Sequence, residues 1–102
     1  MRAAPSAAFE TLFSPCTLGA LELRNRIVAV PHGTAMIERG VPTDDDLAYW
    51  EARAAGGVAA VITGATTTHP SGVLRDRRRA EPWNPDSLRQ MARRAERVHR
   101  HG

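Results

Sequence analysis

With 102 residues and 42% hydrophobic content, the chain is the size of a single domain (~50 to 250 residues) and too apolar for global disorder. All 14 basic residues are arginine and the net charge is +3, but a lysine-free chain rich in Ala, Arg and Gly points to genomic base composition rather than to a polyanionic partner. Its one cysteine, Cys16, excludes an internal disulfide, and no window nears the ~20 apolar residues of a membrane span, so the expectation is a cytoplasmic protein with no membrane partner.

Residues 1–8 are small, polar or Pro-containing and read as a flexible leader, leaving 9–102 as the folded part. In residues 17–23, TLGALEL, Gly19 and Ala20 can turn a short hairpin that sets Leu21 and Leu23 on one face and caps one end of the core. A strand follows over residues 26–31. Its apolar run, Ile27 to Val30, stops at Pro31-His32-Gly33-Thr34, where a parallel α/β protein places its ligand.

Thr43 opens a helix, with Asp44, Asp45 and Asp46 favouring the positive end of its dipole and Asp46 completing a T-x-x-D capping box. Leu47, Trp50 and Ala54 share one face, and Gly56-Gly57 end the helix. Residues 58–63 then read as a second strand buried on both faces, running out into Gly64-Ala65-Thr66-Thr67-Thr68-His69. Both strand ends therefore face the same way. The last element starts with Pro85 after Asn84, and Leu88, Met91, Ala92, Ala95 and Val98 recur at three and four. Its other face carries Arg89, Arg93, Arg94, Arg97 and Arg100, with Gly102 at the stop. Two parallel strands need a third neighbour or closure, so the expectation is part of a larger domain.

Several constellations have plainer roles beside any functional one. Pro31 fixes a φ and Gly33 admits a flat ligand to the backbone, although a plain turn explains the same residues and a lone His32 is more often a hydrogen-bonded structural residue. The turn chemistry of His69-Pro70-Ser71-Gly72 needs no ligand, and threonines 66–68 can satisfy nearby backbone. Arg75, Arg77, Arg78 and Arg79 are interleaved with Asp76 and Glu81, which reads as a solvated loop and not as a nucleic-acid surface. Cys16, His32, His69, His99 and His101 lack metal-ligand spacing, and no nucleophile elbow, G-x-G-x-x-G or P-loop is present.

Taken together, LFSPCTLGALELRNRIVAVPHGT at 12–34, GGVAAVITGATTTHPSG at 56–72 and the closing RRAERVHRHG resemble the old yellow enzyme family of flavoproteins, in its 2,4-dienoyl-CoA reductase and trimethylamine dehydrogenase branch. The resemblance implies an α/β fold, the N-terminal portion of a (β/α)₈ TIM barrel comprising two βα units and an N-terminal hairpin. It implies FMN as cofactor, with mostly main-chain flavin contacts at Val30, Pro31, His32 and Gly33 after the first strand and at Ala65 after the second.

The resemblance also implies NAD(P)H as electron donor and a small-molecule substrate, with an iron–sulfur cluster and FAD only if further domains follow; oligomerisation stays open. The sequence departs from the family at three positions. Gly33 stands where relatives carry Thr or Cys, which excludes covalent flavin attachment there, and Ala35 and Gly64 replace a Tyr and a Glu used elsewhere in the family. The family's catalytic acid and base find no counterpart between Met1 and Gly102, so none is assigned. The expected activity is hydride transfer from NAD(P)H through flavin to an activated alkene such as an enoate or dienoyl substrate. The alternatives are amine dehydrogenation or demethylation within the family, or a truncated product without catalysis.

Overall fold

The computed structural model describes residues 7–102, so most of the expected leader lies outside the described residues. Its last two residues do not: they open a 3₁₀ turn at Ala7–Phe9. The hairpin forms as expected, β1 (Cys16–Leu18) pairing antiparallel with β2 (Leu21–Leu23), and Gly19 at φ 61° makes the tight reversal that a side chain would resist. Only part of it caps the core. Leu23, at the base of the hairpin, is buried, whereas Leu18 and Leu21, the facing pair beside the turn, are exposed.

β3 (Val28–Ala29) and β6 (Ala60–Val61) pair in parallel, with the Ala59 N–H donating to Ile27 O and the Ile62 N–H to Ala29 O, each at 2.9 Å, just beyond the ladder. Both strands are shorter than the sequence suggests. With only one neighbour each, their ends have nothing to pair with, and the expected burial on both faces is not reached: residues 58–61 are half-buried and Ile62 is 51% exposed.

Between them lies a hairpin not foreseen, β4 (Ile37–Glu38) with β5 (Val41–Pro42). Arg39 and Gly40 both take positive φ (50° and 77°), the pattern of a type I′ turn. Gly40 is required twice over, since a Cβ there would lie 2.3 Å from the Glu81 carboxylate.

α1 (Asp44–Gly56) buries Leu47, Trp50 and Ala54, as its periodicity predicts, and stops at Gly57 with φ 113°. Thr43 caps it, its hydroxyl accepting from the Asp46 N–H at 3.4 Å and donating to Met36 O at 2.6 Å. The capping box is not completed. The Asp46 side chain turns inward, and the Thr43 N–H goes to Met36 O instead. Arg24 staples the far end: its guanidinium donates to Ala54 O and Val58 O at 2.9 Å and to His101 O at 2.5 Å, a cation placed at the negative ends of two helices.

α2 (Pro85–His99) starts at the Asn84 cap as expected. Its two faces do not divide as the pattern suggests. Arg94 is buried and Leu88 is 53% exposed. Ser87, Gln90, Arg94, Arg97 and His101 form a polar stripe at 3-4-3-4 spacing toward α1, where Arg97 and His101 both meet Glu51 at 2.7 and 2.9 Å. The apolar stripe turns elsewhere, Met91, Ala95 and Val98 lining a 200 Å³ cavity with Val61 and Thr63 of the second strand region. Among the described residues no helix is long and apolar enough to cross a membrane.

Candidate functional site

The ends of β3 and β6 come together at one small cavity of about 260 Å³. The cause is Gly64. A Cβ there would sit 2.6 Å from the His32 carbonyl oxygen and 3.8 Å from Gly33 Cα, so only glycine lets the two strand-end loops touch. The cavity is lined by His32, Gly33 and Ala65, three of the five positions singled out in the sequence. Val30 and Pro31 do not line it; both are exposed on the approach.

His32 is exposed and lays its ring against α1. Its centroid lies 5.4 Å from that of Tyr49 and 5.2 Å from that of Trp50, and its Nε2 is hydrogen-bonded to the Tyr49 hydroxyl. The imidazole thus positions the loop, leaving the backbone to face the cavity. The N–H groups of His32, Gly33, Thr34 and Ala65 have no backbone acceptor among the described residues. Unpaired donors on two adjacent strand ends suit a flat ligand bearing ring carbonyls or nitrogens.

The loop after β3 is held from beneath. The Thr34 hydroxyl donates to Asp46 Oδ1 at 2.7 Å and accepts from the Met36 N–H at 3.3 Å, while Arg94 Nη1 donates to Asp46 Oδ2 at 2.8 Å. Ala35 next to it takes φ 61°, a left-handed conformation costly for any residue with a Cβ, and it lines the cavity. Asp76, Arg78 and Arg79 complete the rim.

Four of these residues read differently from the sequence alone: Asp46 as a cap, Arg94 as a surface cation, and Arg78 and Arg79 as parts of a solvated run. The polar 3-4 stripe of α2 opposite the acids of α1 was the available signal for Arg94. His69, by contrast, stays outside the cavity, its Nδ1 accepting from the Ser71 N–H at 3.1 Å to cap the 3₁₀ turn Pro70–Gly72. Among the described residues no three His, Cys, Asp or Glu side chains converge to hold a metal ion.

Comparison with known proteins bears on this arrangement. The family model described as "NADH:flavin oxidoreductase / NADH oxidase family" matches residues 11–102. A dimethylamine dehydrogenase from Hyphomicrobium is 32% identical over 96 residues, covering 92% of this chain and 12% of that protein. The old yellow enzyme from Trypanosoma cruzi superposes with a TM-score of 0.81 at 26% identity, over 92% of this chain and 25% of its own. Morphinone reductase in complex with tetrahydroNAD gives 0.78 at 26% identity, over 89% of this chain and 24% of its own. The chain thus spans about an eighth of that curated relative and a quarter of the solved ones. It is an α/β piece of a TIM barrel without barrel closure.

Proposed function

The chain belongs to the NADH:flavin oxidoreductase / NADH oxidase family, that of the old yellow enzymes, and on that premise we propose that it forms the flavin-facing first part of an FMN-dependent oxidoreductase. In this reading hydride passes from NAD(P)H by way of FMN to an activated alkene. Bound FMN would supply the redox chemistry, and the chain would orient the ring and exclude water from one side of it.

The observation that carries the reading is the set of unpaired N–H donors at His32, Gly33, Thr34 and Ala65, gathered by the Gly64 close approach into one cavity. Such groups would hold the ring by its polar edge, with Val30 and Pro31 forming the apolar shoulder beside it. His32 acts on the loop through Tyr49, and no side chain of the described residues is assigned proton transfer.

A second reading, oxidation of a secondary or tertiary amine, is favoured by the resemblance to the dimethylamine dehydrogenase. One experiment separates the two. The chain alone, as the proposed first part of the enzyme, is expected to be inactive, so the whole enzyme is loaded with FMN and followed by visible absorbance anaerobically, with NADH, NADPH or dimethylamine added in turn. Bleaching by a nicotinamide and recovery with an α,β-unsaturated ketone support the first reading. Bleaching by the amine alone supports the second, and a protein that takes up no FMN sinks both.

A further inference from the structure

In the loop after β3, conformational freedom and conformational need fall on different residues. Gly33, which could take positive φ without a steric penalty, does not, and a Cβ on it would meet nothing within 4 Å. Ala35, which carries a Cβ, takes φ 61°. Left alone, such a residue falls back to negative φ, and Gly33 nearby is a free hinge to absorb the change. Something must therefore hold Ala35.

Both of its neighbours are tied. On one side the Thr34 hydroxyl donates to Asp46 Oδ1 at 2.7 Å and accepts from the Met36 N–H at 3.3 Å, a local turn that closes around Ala35. On the other, Met36 O accepts from the N–H and the hydroxyl of Thr43 at 3.1 and 2.6 Å. Asp46 cannot swing to follow a relaxing loop, because it is buried and Arg94 Nη1 donates to its second oxygen at 2.8 Å. Thr43 caps α1, so both anchors belong to the first turn of that helix.

We propose that Thr34 is a positioning residue for the flavin: its hydroxyl, locked on Asp46, holds Ala35 left-handed and so keeps the N–H groups of Gly33 and Thr34 turned to the cavity. The role toward flavin rests on the reading above; the hold on Ala35 does not. Without the hydroxyl Ala35 relaxes, the peptide planes beside it turn, and donors aimed at the polar edge of the ring are lost. Asp46 and Arg94 act on the ligand through Thr34.

The test uses the whole enzyme, as wild type and as three variants. Thr34→Val keeps the shape and loses the hydroxyl, Thr34→Ser keeps the hydroxyl, and Thr34→Val/Ala35→Gly makes left-handed φ free of its clasp. FMN affinity is read by fluorescence quenching, the midpoint potential by reductive titration, and φ at Ala35 from flavin-free crystal structures, with circular dichroism to check folding. Thr34→Val should bind FMN about tenfold more weakly, or ~1.4 kcal/mol, at a lower potential and with Ala35 at negative φ. Thr34→Ser should retain most of the affinity, and the double variant should recover part of what Thr34→Val loses. A merely structural threonine would give no such recovery, because a glycine added to a damaged loop loosens it further.

Wild-type affinity and potential in Thr34→Val, a Thr34→Ser as weak as Thr34→Val, a double variant no tighter than the single, or negative φ at Ala35 in the wild type each overturns the proposal. Should Thr34→Val not fold, Thr34→Ser and the wild-type φ decide. Failure of the flavin reading would show separately, as a wild type that takes up no FMN while Ala35 still changes φ in Thr34→Val.

Discussion

Asp46 and Arg94 face each other at 2.8 Å with side-chain exposures of 1% and 7%, an ion pair that crosses from α1 to α2 beneath the loop after β3. Through the Thr34 hydroxyl the same carboxylate also holds that loop. Fold and site therefore share one buried charge.

Removing one partner of such a pair leaves the other uncompensated, which costs about 3 to 5 kcal/mol, more than the pair itself contributes. Asp46→Asn should accordingly lower the urea midpoint severely, while Asp46→Leu/Arg94→Met should recover most of the loss. A single variant as stable as wild type would show that solvent reaches the pair.

Elsewhere along the α1–α2 interface the ion pairs are partly open to solvent. His101, through its hydrogen bond, and then Arg97 hold the Glu51 carboxyl below its ordinary range, and Gln90 followed by Arg93 do the same for Asp44. A carboxylate depressed in this way stabilises the fold above its unfolded value, about 4.3 for Glu and 3.9 for Asp, and loses that contribution as pH falls through its folded value. Acid should loosen α2 from α1 only below about pH 4. Stability measured against pH should show a shallower acid limb for Glu51→Gln than for wild type, and superimposable limbs would remove the interface from the account.

Gly64→Ala tests the contact between the two strand ends. Its Cβ would meet the His32 carbonyl at 2.6 Å, backbone against backbone with no flexible side chain to yield. Overpacking of this kind costs ~1 to 3 kcal/mol. The variant should melt earlier and, in the loaded protein, hold FMN less tightly. Gly72→Ala is the control, its nearest neighbour being the Thr67 methyl at an ordinary 3.5 Å.

What the sequence disclosed follows from what was local. Caps at Thr43 and Asn84, the stop at Gly57 and the core face of α1 depend on residues a few positions apart, and all appear where the pattern puts them. The β4–β5 hairpin escaped because Arg39 is not a residue that advertises positive φ. Arg94 escaped for a different reason: helical periodicity sorts apolar from polar, and α2 packs on α1 through its polar stripe. The union of His32, Gly33 and Ala65 in one cavity was legible from the parallel strand ends, whereas Arg78 and Arg79 reach it through a loop whose path no local rule fixes.

Gly33 carries the last prediction. Its φ lies outside the left-handed region, and a Cβ there would meet nothing within 4 Å, so a side chain can be added without straining the loop or striking a neighbour. The adjacent Thr34 hydroxyl cannot serve a ligand in its place, being donated to Asp46 at 2.7 Å. In the proposed flavoprotein Gly33→Thr would bring a hydroxyl donor to the ring's polar edge, and a hydrogen bond to a charged group is worth ~1.5 to 3 kcal/mol. Reduced, anionic flavin should gain most of that stabilisation, so the midpoint potential should rise. Wild type and variant are first matched for flavin occupancy by absorbance, then titrated reductively against a reference dye. A higher potential at full occupancy is the expected result. An unchanged or lower one would mean that Gly33 does not face the polar edge of the flavin, and the ring would have to lie against the Ala65 side of the cavity alone.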